Sequence, residues 1–259
     1  MAGRTLAIIA VVLWVASSAG AVVLYNGASG GTPDAQGWRY ATDPLFVASA
    51  TSSESGGVTT LDTTPARDDK AGYFSELPIL GQHPLMPALD RTAGYVVRFD
   101  LQIVSEGHNV KDLNSDSVDD RGGFSVIALS SDGQGVEIAF WTDEVWAYDY
   151  RDVGGNFEFV HDEGSSGFDP SAAMTRYDLS VAGSVYTLEA DGTEVLSGPL
   201  RDYSAEGWPY TTPSFLFFGD DTTSADSMTG LAFIEVIPEP GTLLLLGVGA
   251  VAMMRRRRP

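Results

Sequence analysis

The sequence predicts an all-β fold, an antiparallel β-sandwich or jelly roll, and three observations point there. Helical periodicity is almost absent, while apolar residues alternate with polar ones along much of the chain. About ten short strand-like segments follow one another at regular spacing, separated by turn signals. Between two apolar termini lie residues 22–236, roughly 215 positions without an evident internal repeat, which suits one sandwich-sized domain.

The chain divides into three segments, 1–21, 22–236 and 237–259. Met1 to Ala21 begins with Arg4, continues through an apolar stretch from Leu6 to Val15 and ends in small residues at Ala19 and Ala21. That layout predicts a secretory signal helix cut after Ala21, and the apolar stretch is too short for a membrane span. In the middle segment, "YVVRFDLQIV" places Tyr95, Val97, Phe99, Leu101 and Ile103 on one strand face. "FSVIALS" (Phe124–Ser130) is apolar throughout, and after the turn "SDGQG" the strand "VEIAFW" sets Val136, Ile138 and Phe140 against Glu137, Ala139 and Trp141. "EVWAYDY", "NFEFVHD", "RYDLSVA", "VYTLEA", "TEVLSG", "SFLFFGD" and "GLAFIEV" read as further strands, with turns at Ala182-Gly183-Ser184 and Asp191-Gly192. Ser75 to Thr92, with prolines at 78, 84 and 87, reads as a long loop.

At the far end, Thr242 to Met254 is an apolar run of about 13 residues, roughly 20 Å as a helix. A bilayer core is about 30 Å thick, so this hydrophobic helix spans only by borrowing Ile237 and by snorkelling of its arginines. Arg255, Arg256, Arg257 and Arg258 form the expected cytoplasmic flank.

Residues 22–236 hold 10 basic and 34 acidic side chains, a net charge of −24. Such a surface repels nucleic acid and anionic lipid and attracts divalent cations or basic partners. The chain has no cysteine, so an exported domain of this sequence relies on its core or on metal.

"DLNSDSVDD" has Asp112, Asn114 and Asp116 at positions one, three and five of a calcium loop, with Asp120 following. Ser117 stands where the turn glycine belongs and Gly123 where the bidentate glutamate belongs, so a solvated acidic loop is the competing reading. "GDDTTSAD" presents Asp220 and Asp221, as ligands for calcium or sugar hydroxyls or as a hydrogen-bonded turn. Trp141, Trp146 and Tyr148 are candidates for stacking on sugar rings, with core filling the bland alternative. Trp208 and Tyr210, in the loop "EGWPYTTP", are expected to be exposed ligand contacts. No catalytic residue is assigned. "EFVHDE" (Glu158–Glu163) lacks the spacing of a glycosidase strand, there is no nucleophile elbow or zinc-binding histidine pair, and His83, His108 and His161 read as structural.

The chain end, Pro238-Glu239-Pro240 followed by a short apolar helix and an arginine cluster, closely resembles the PEP-CTERM sorting signal. The resemblance implies export through the secretion machinery and a transient hold in the inner membrane of Gram-negative bacteria. It further implies processing near Pro-Glu-Pro by the membrane protease exosortase, then placement at the cell surface or in the matrix. "DRGGFSVIALSSDGQGVEIAFWTDEVWAYD", "TRYDLSVAGSVYTLEADG" and "FLFFGDDTTSAD" resemble the choice-of-anchor Y domain. That likeness implies a concanavalin- or laminin-G-like jelly roll and no activity. The expected function is a non-catalytic module binding polysaccharide or protein, and the alternative is a secreted jelly-roll glycoside hydrolase or lyase. Two carboxylates within about 10 Å in an aromatic-lined groove would favour the enzyme.

Overall fold

The computed structural model describes residues 20–42 and 49–238. In chain order its strands are β1 (Val22–Asn26), β2 (Arg39–Thr42), β3 (Thr51–Ser55), β4 (Val58–Asp62), β5 (Ala71–Phe74), β6 (Glu76–Leu77), β7 (Gly81–Gln82), β8 (Tyr95–His108) and β9 (Ser125–Leu129). They continue with β10 (Gln134–Phe140), β11 (Glu144–Val153), β12 (Asn156–Ser166), β13 (Thr175–Ala182), β14 (Val185–Ala190), β15 (Thr193–Pro199), β16 (Arg201–Asp202), β17 (Phe215–Asp220) and β18 (Ala225–Pro238).

These form an antiparallel sandwich of two eight-stranded sheets. The first runs β15-β14-β13-β8-β18-β4-β3 with β1 beside β18, and the second runs β12-β11-β10-β9-β17-β5-β2 with β16 beside β10. Alternation builds the space between them. Val97, Phe99 and Leu101 of β8 and Ile234 of β18 meet Val126, Ile138, Phe140 and Phe218 of the second sheet in one buried cluster. The Phe99 ring joins the layers, edge-on to Phe218 at 5.3 Å and to Phe140 at 6.3 Å. Asp191 and Gly192 both have positive φ (49° and 78°), the two-residue geometry that closes β14 onto β15.

The outward faces differ in chemistry. On the first sheet, cross-strand ion pairs Arg98–Asp178 (2.7 Å) and Arg176–Asp100 (2.8 Å) face solvent. The second sheet is apolar and aromatic on its outward face, where Ile127, Leu129, Phe215 and Phe217 are covered by Tyr203 and Tyr210. This covering makes β9 and β17 buried on both faces, as their continuous apolar runs require.

Three corrections follow. The stretch 75–92 is not wholly loop, since β6 and β7 pair within it. Residues 22–74 contain five strands that alternation did not reveal, because β3 (TSSES) and β4 (VTTLD) are short and largely polar. The domain edge also lies past Val236. β1 pairs Val22 with Val236, and β18 keeps pairing with β8 through Pro238, opposite Tyr95. Among the described residues no helix is long and apolar enough to cross a membrane. The expected signal helix up to residue 19 and the C-terminal helix, with Glu239, Pro240 and Arg255 to Arg258, lie outside the described residues.

Candidate functional site

A cleft of about 720 Å³ opens on the outward face of the second sheet. Its floor follows from period-two alternation: β10 turns Val136, Ile138 and Phe140 inward and therefore Glu137 outward, while β11 turns out Tyr148. The segment 203–214 folds over this face and supplies Tyr210 and, at the rim, Trp208. Phe74 at the end of β5 stacks on Trp208, with centroids 5.6 Å apart and planes 19° from parallel. Lys70, Arg121, Asp220 and Asp221 complete the polar lining.

Glu137 is the centre of this arrangement, at 2% exposure. Tyr210 Oη donates to Glu137 Oε2 at 2.6 Å. The Glu137 amide donates to Tyr203 Oη at 3.3 Å, and that hydroxyl donates to the Tyr148 carbonyl at 2.8 Å. Glu137 also hydrogen-bonds the Asp221 carboxyl. Such a bond needs a proton on one partner, and Glu137 holds it: burial first, then the Asp221 charge, push its carboxyl well above the usual carboxylate range. Burial raises Asp221 as well, opposed by the hydrogen bond from Glu137 and by the charges of Lys70 and Arg121. Tyr148 Oη accepts the Gly122 N–H at 3.2 Å and keeps its own proton for a further acceptor. Ser125 Oγ, buried beside Glu137, has no well-formed hydrogen bond.

Of the residues singled out from sequence, Trp208, Tyr210, Asp220 and Asp221 come together in the cleft. Trp208 is 45% exposed, as its loop position suggests. Tyr210 is not an exposed contact: it is 6% exposed, because its hydroxyl reaches inward to Glu137. Asp220 is 1% exposed and accepts from Thr63 Oγ1 (2.7 Å) and the Thr222 amide (3.0 Å), which locks the turn after β17. Trp146 is not a surface platform either. It is fully buried, stacked on His161 at 4.5 Å and packed against Trp141 and Tyr148.

The acidic loop stands apart from the cleft. Asp112 accepts the amides of Asp116 (3.0 Å) and Ser117 (2.9 Å), and Asn114 Nδ2 donates to Asp116 Oδ2 at 2.7 Å. Asp116 accepts the Val118 amide, so these carboxylates fold the loop. Asp120 does not face the other three oxygens. It is buried and accepts the amides of Leu113 and His161, both at 2.6 Å. Among the described residues no group of three or more histidine or acidic side chains has a metal-holding arrangement.

Sequence reasoning placed Glu137 on the face opposite Val136 and Ile138 but assigned it no role. Its signal was a lone carboxylate in an otherwise apolar strand, a residue rarely buried without a partner. Lys70, Phe74 and Arg121 carried no comparable signal.

The C-terminal strand leads straight into the remaining feature. Residues 236–258 match the PEP-CTERM protein-sorting motif. This sorting motif supports an exported, exosortase-processed protein and overlaps the end of β18 at Pro238. No curated protein matches the chain. Among solved structures, the chain is similar to a carbohydrate esterase from Shiga toxin-encoding bacteriophage phi24B, at 14% identity and a TM-score of 0.51, covering 85% of this chain and 97% of that one. It is also similar to the carbohydrate recognition domain of Emp46p (11% identity, TM-score 0.47, 84% and 96% covered). A third is a galectin-like protein of unknown function from Bacillus subtilis (9% identity, TM-score 0.46, 84% and 96% covered). At these identities the likeness concerns the fold alone.

Proposed function

We propose that this is an exported surface or extracellular-matrix protein that holds a polysaccharide chain in the cleft beneath Trp208. Trp208 is the observation that carries the reading: nearly half its surface meets water while its ring is stacked on Phe74 at the rim. A fixed aromatic face suits the C–H side of a sugar ring, and the Asp221, Tyr148, Lys70 and Arg121 groups below suit its hydroxyls. The acidic surface disfavours nucleic acid as an alternative ligand.

The sorting motif supplies the route. In this reading the signal helix starts export, and the C-terminal helix pauses the protein in the inner membrane with Arg255 to Arg258 inside. Exosortase then acts near Pro238, Glu239 and Pro240. The blocks that resemble the choice-of-anchor Y domain contain Arg121, Glu137, Tyr148, Asp220 and Asp221, so that likeness would extend to the cleft.

The test is a glycan array probed with wild type and Trp208→Ala. Wild type should bind a defined subset of glycans, and the variant should lose about tenfold or more in affinity, the worth of one stacked ring. Equal binding by both would overturn the reading. One observation favours a second role, catalysis: Glu137 and Asp221 are two carboxyls in contact inside an aromatic-lined groove.

A further inference from the structure

We propose that Glu137 and Asp221 are a water-activating acid–base pair that hydrolyses an acyl ester carried by the bound saccharide. The proposal rests on the polysaccharide-binding reading of the same cleft.

The geometry selects the bond. Acetal hydrolysis by two carboxyls needs them about 5–9.5 Å apart, on opposite sides of the anomeric carbon or with room for a water. Glu137 and Asp221 hydrogen-bond to each other directly, so no sugar ring fits between them. Two carboxyls sharing one proton are instead placed to hold one water against a flat acyl carbon. One of them accepts a proton while the other donates one.

The surroundings fit those roles. Glu137 is enclosed by Tyr203 and Tyr210, and Tyr210 Oη fixes its Oε2 from behind. This leaves the acid as the donor on the cleft side. Asp221 is half-buried, and Lys70 and Arg121 lie near enough to favour its anionic form, as a base requires. Tyr148 has a hydroxyl proton to offer, and Ser125 Oγ lies beside Glu137 without a partner. Both are available to a developing oxyanion.

The step balances without a cofactor. Asp221 takes a proton from water as the water oxygen bonds to the acyl carbon, and Glu137 gives its proton to the carbonyl oxygen. The tetrahedral intermediate then breaks its bond to the sugar oxygen, which takes the proton from Asp221. Glu137 recovers its proton from the intermediate's hydroxyl. The products are a free carboxylic acid and a saccharide hydroxyl.

The test uses the full chain, purified from exporting cells in mild detergent, with O-acetylated xylan as probe and acetate release as readout. Binding of the same xylan after chemical deacetylation is measured in parallel. Wild type should release acetate, and Glu137→Gln and Asp221→Asn should each lose about 100-fold or more in rate. Both variants should keep xylan binding within a few fold. The rate should also fall at low pH as Asp221 takes a proton and at high pH as Glu137 loses one. If Glu137→Gln does not fold, Asp221→Asn at its more open position decides alone. Binding without acetate release overturns the proposal and spares the binding reading, whereas absent binding removes both. Release of reducing ends in place of acetate, or an Asp221→Asn rate equal to wild type, also overturns it.

Discussion

Tyr210 Oη, from the segment that folds over the second sheet, donates a 2.6 Å hydrogen bond to Glu137 Oε2 on β10. That bond pins the covering segment to the cleft floor, and its acceptor is a carboxyl removed from water. Tyr210→Phe keeps the ring packing against Phe159 (5.2 Å) and removes only the donor. The expected loss is about 1–3 kcal/mol, read as a fall of several degrees in melting temperature. A melting temperature equal to wild type would mean that the bond does not hold the segment.

A pH dependence follows from Glu137. Its folded carboxyl binds a proton that the unfolded chain releases near its ordinary value of 4.5. The folded state therefore holds more protons above that pH, and this group's contribution to stability falls as pH rises from about 4.5 toward its folded value. Glu137→Gln removes the cost of ionising beside Asp221, Tyr148, Tyr203 and Tyr210. Its melting temperature minus that of wild type should grow with pH from about 4.5 to 8. A difference that stays flat or shrinks would show that Glu137 ionises as freely when folded as when unfolded.

How far the sequence carried this picture depended on what each residue's neighbours were. β8 and β10 were legible because one face packs on the other sheet, so their alternation is strict from Tyr95 to Ile103 and from Val136 to Phe140. β3 was not, since Thr51 to Ser55 has no apolar residue and is held by pairing to β4 alone. Alternation assigned Glu137 to the outward face, but nothing local says that Tyr203 and Tyr210, some 70 residues later, close over it. The same long-range packing turned Tyr210 inward and left its neighbour Trp208 out. Asp112, Asn114 and Asp116 had metal-loop spacing, yet that spacing equally serves turns in which each oxygen accepts a nearby amide.

The acidic loop gives a third prediction. Asp112 and Asp116 already serve the loop's own amides, and Asp120 is committed to Leu113 and His161. Millimolar calcium should therefore move the melting temperature no more than sodium at matched ionic strength. A calcium-specific rise of about 2–4 °C, abolished by Asp112→Ala with Asp116→Ala, would restore the metal reading.

Sorting gives the fourth. Pro238 is still paired in β18, and a proline at a strand end gives up no ladder bond beyond it. Replacing Pro238, Glu239 and Pro240 with alanine should leave fold and export intact and block C-terminal processing. Full-length protein would then accumulate in the membrane fraction on immunoblots. Normal maturation of the variant would make the tail a plain anchor.

The central claim, a saccharide seated on Trp208, is tested most directly through the indole N–H signals of the folded domain. Trp38 and Trp141 donate to the carbonyls of Leu24 (3.1 Å) and Arg121 (2.6 Å), and Trp146 is fully buried. Only Trp208 faces the cleft opening. Titrating ¹⁵N-labelled protein with the glycan selected on the array should shift the Trp208 indole resonance progressively and leave that of Trp38 in place. A saturating shift elsewhere with Trp208 unmoved would contradict the claim.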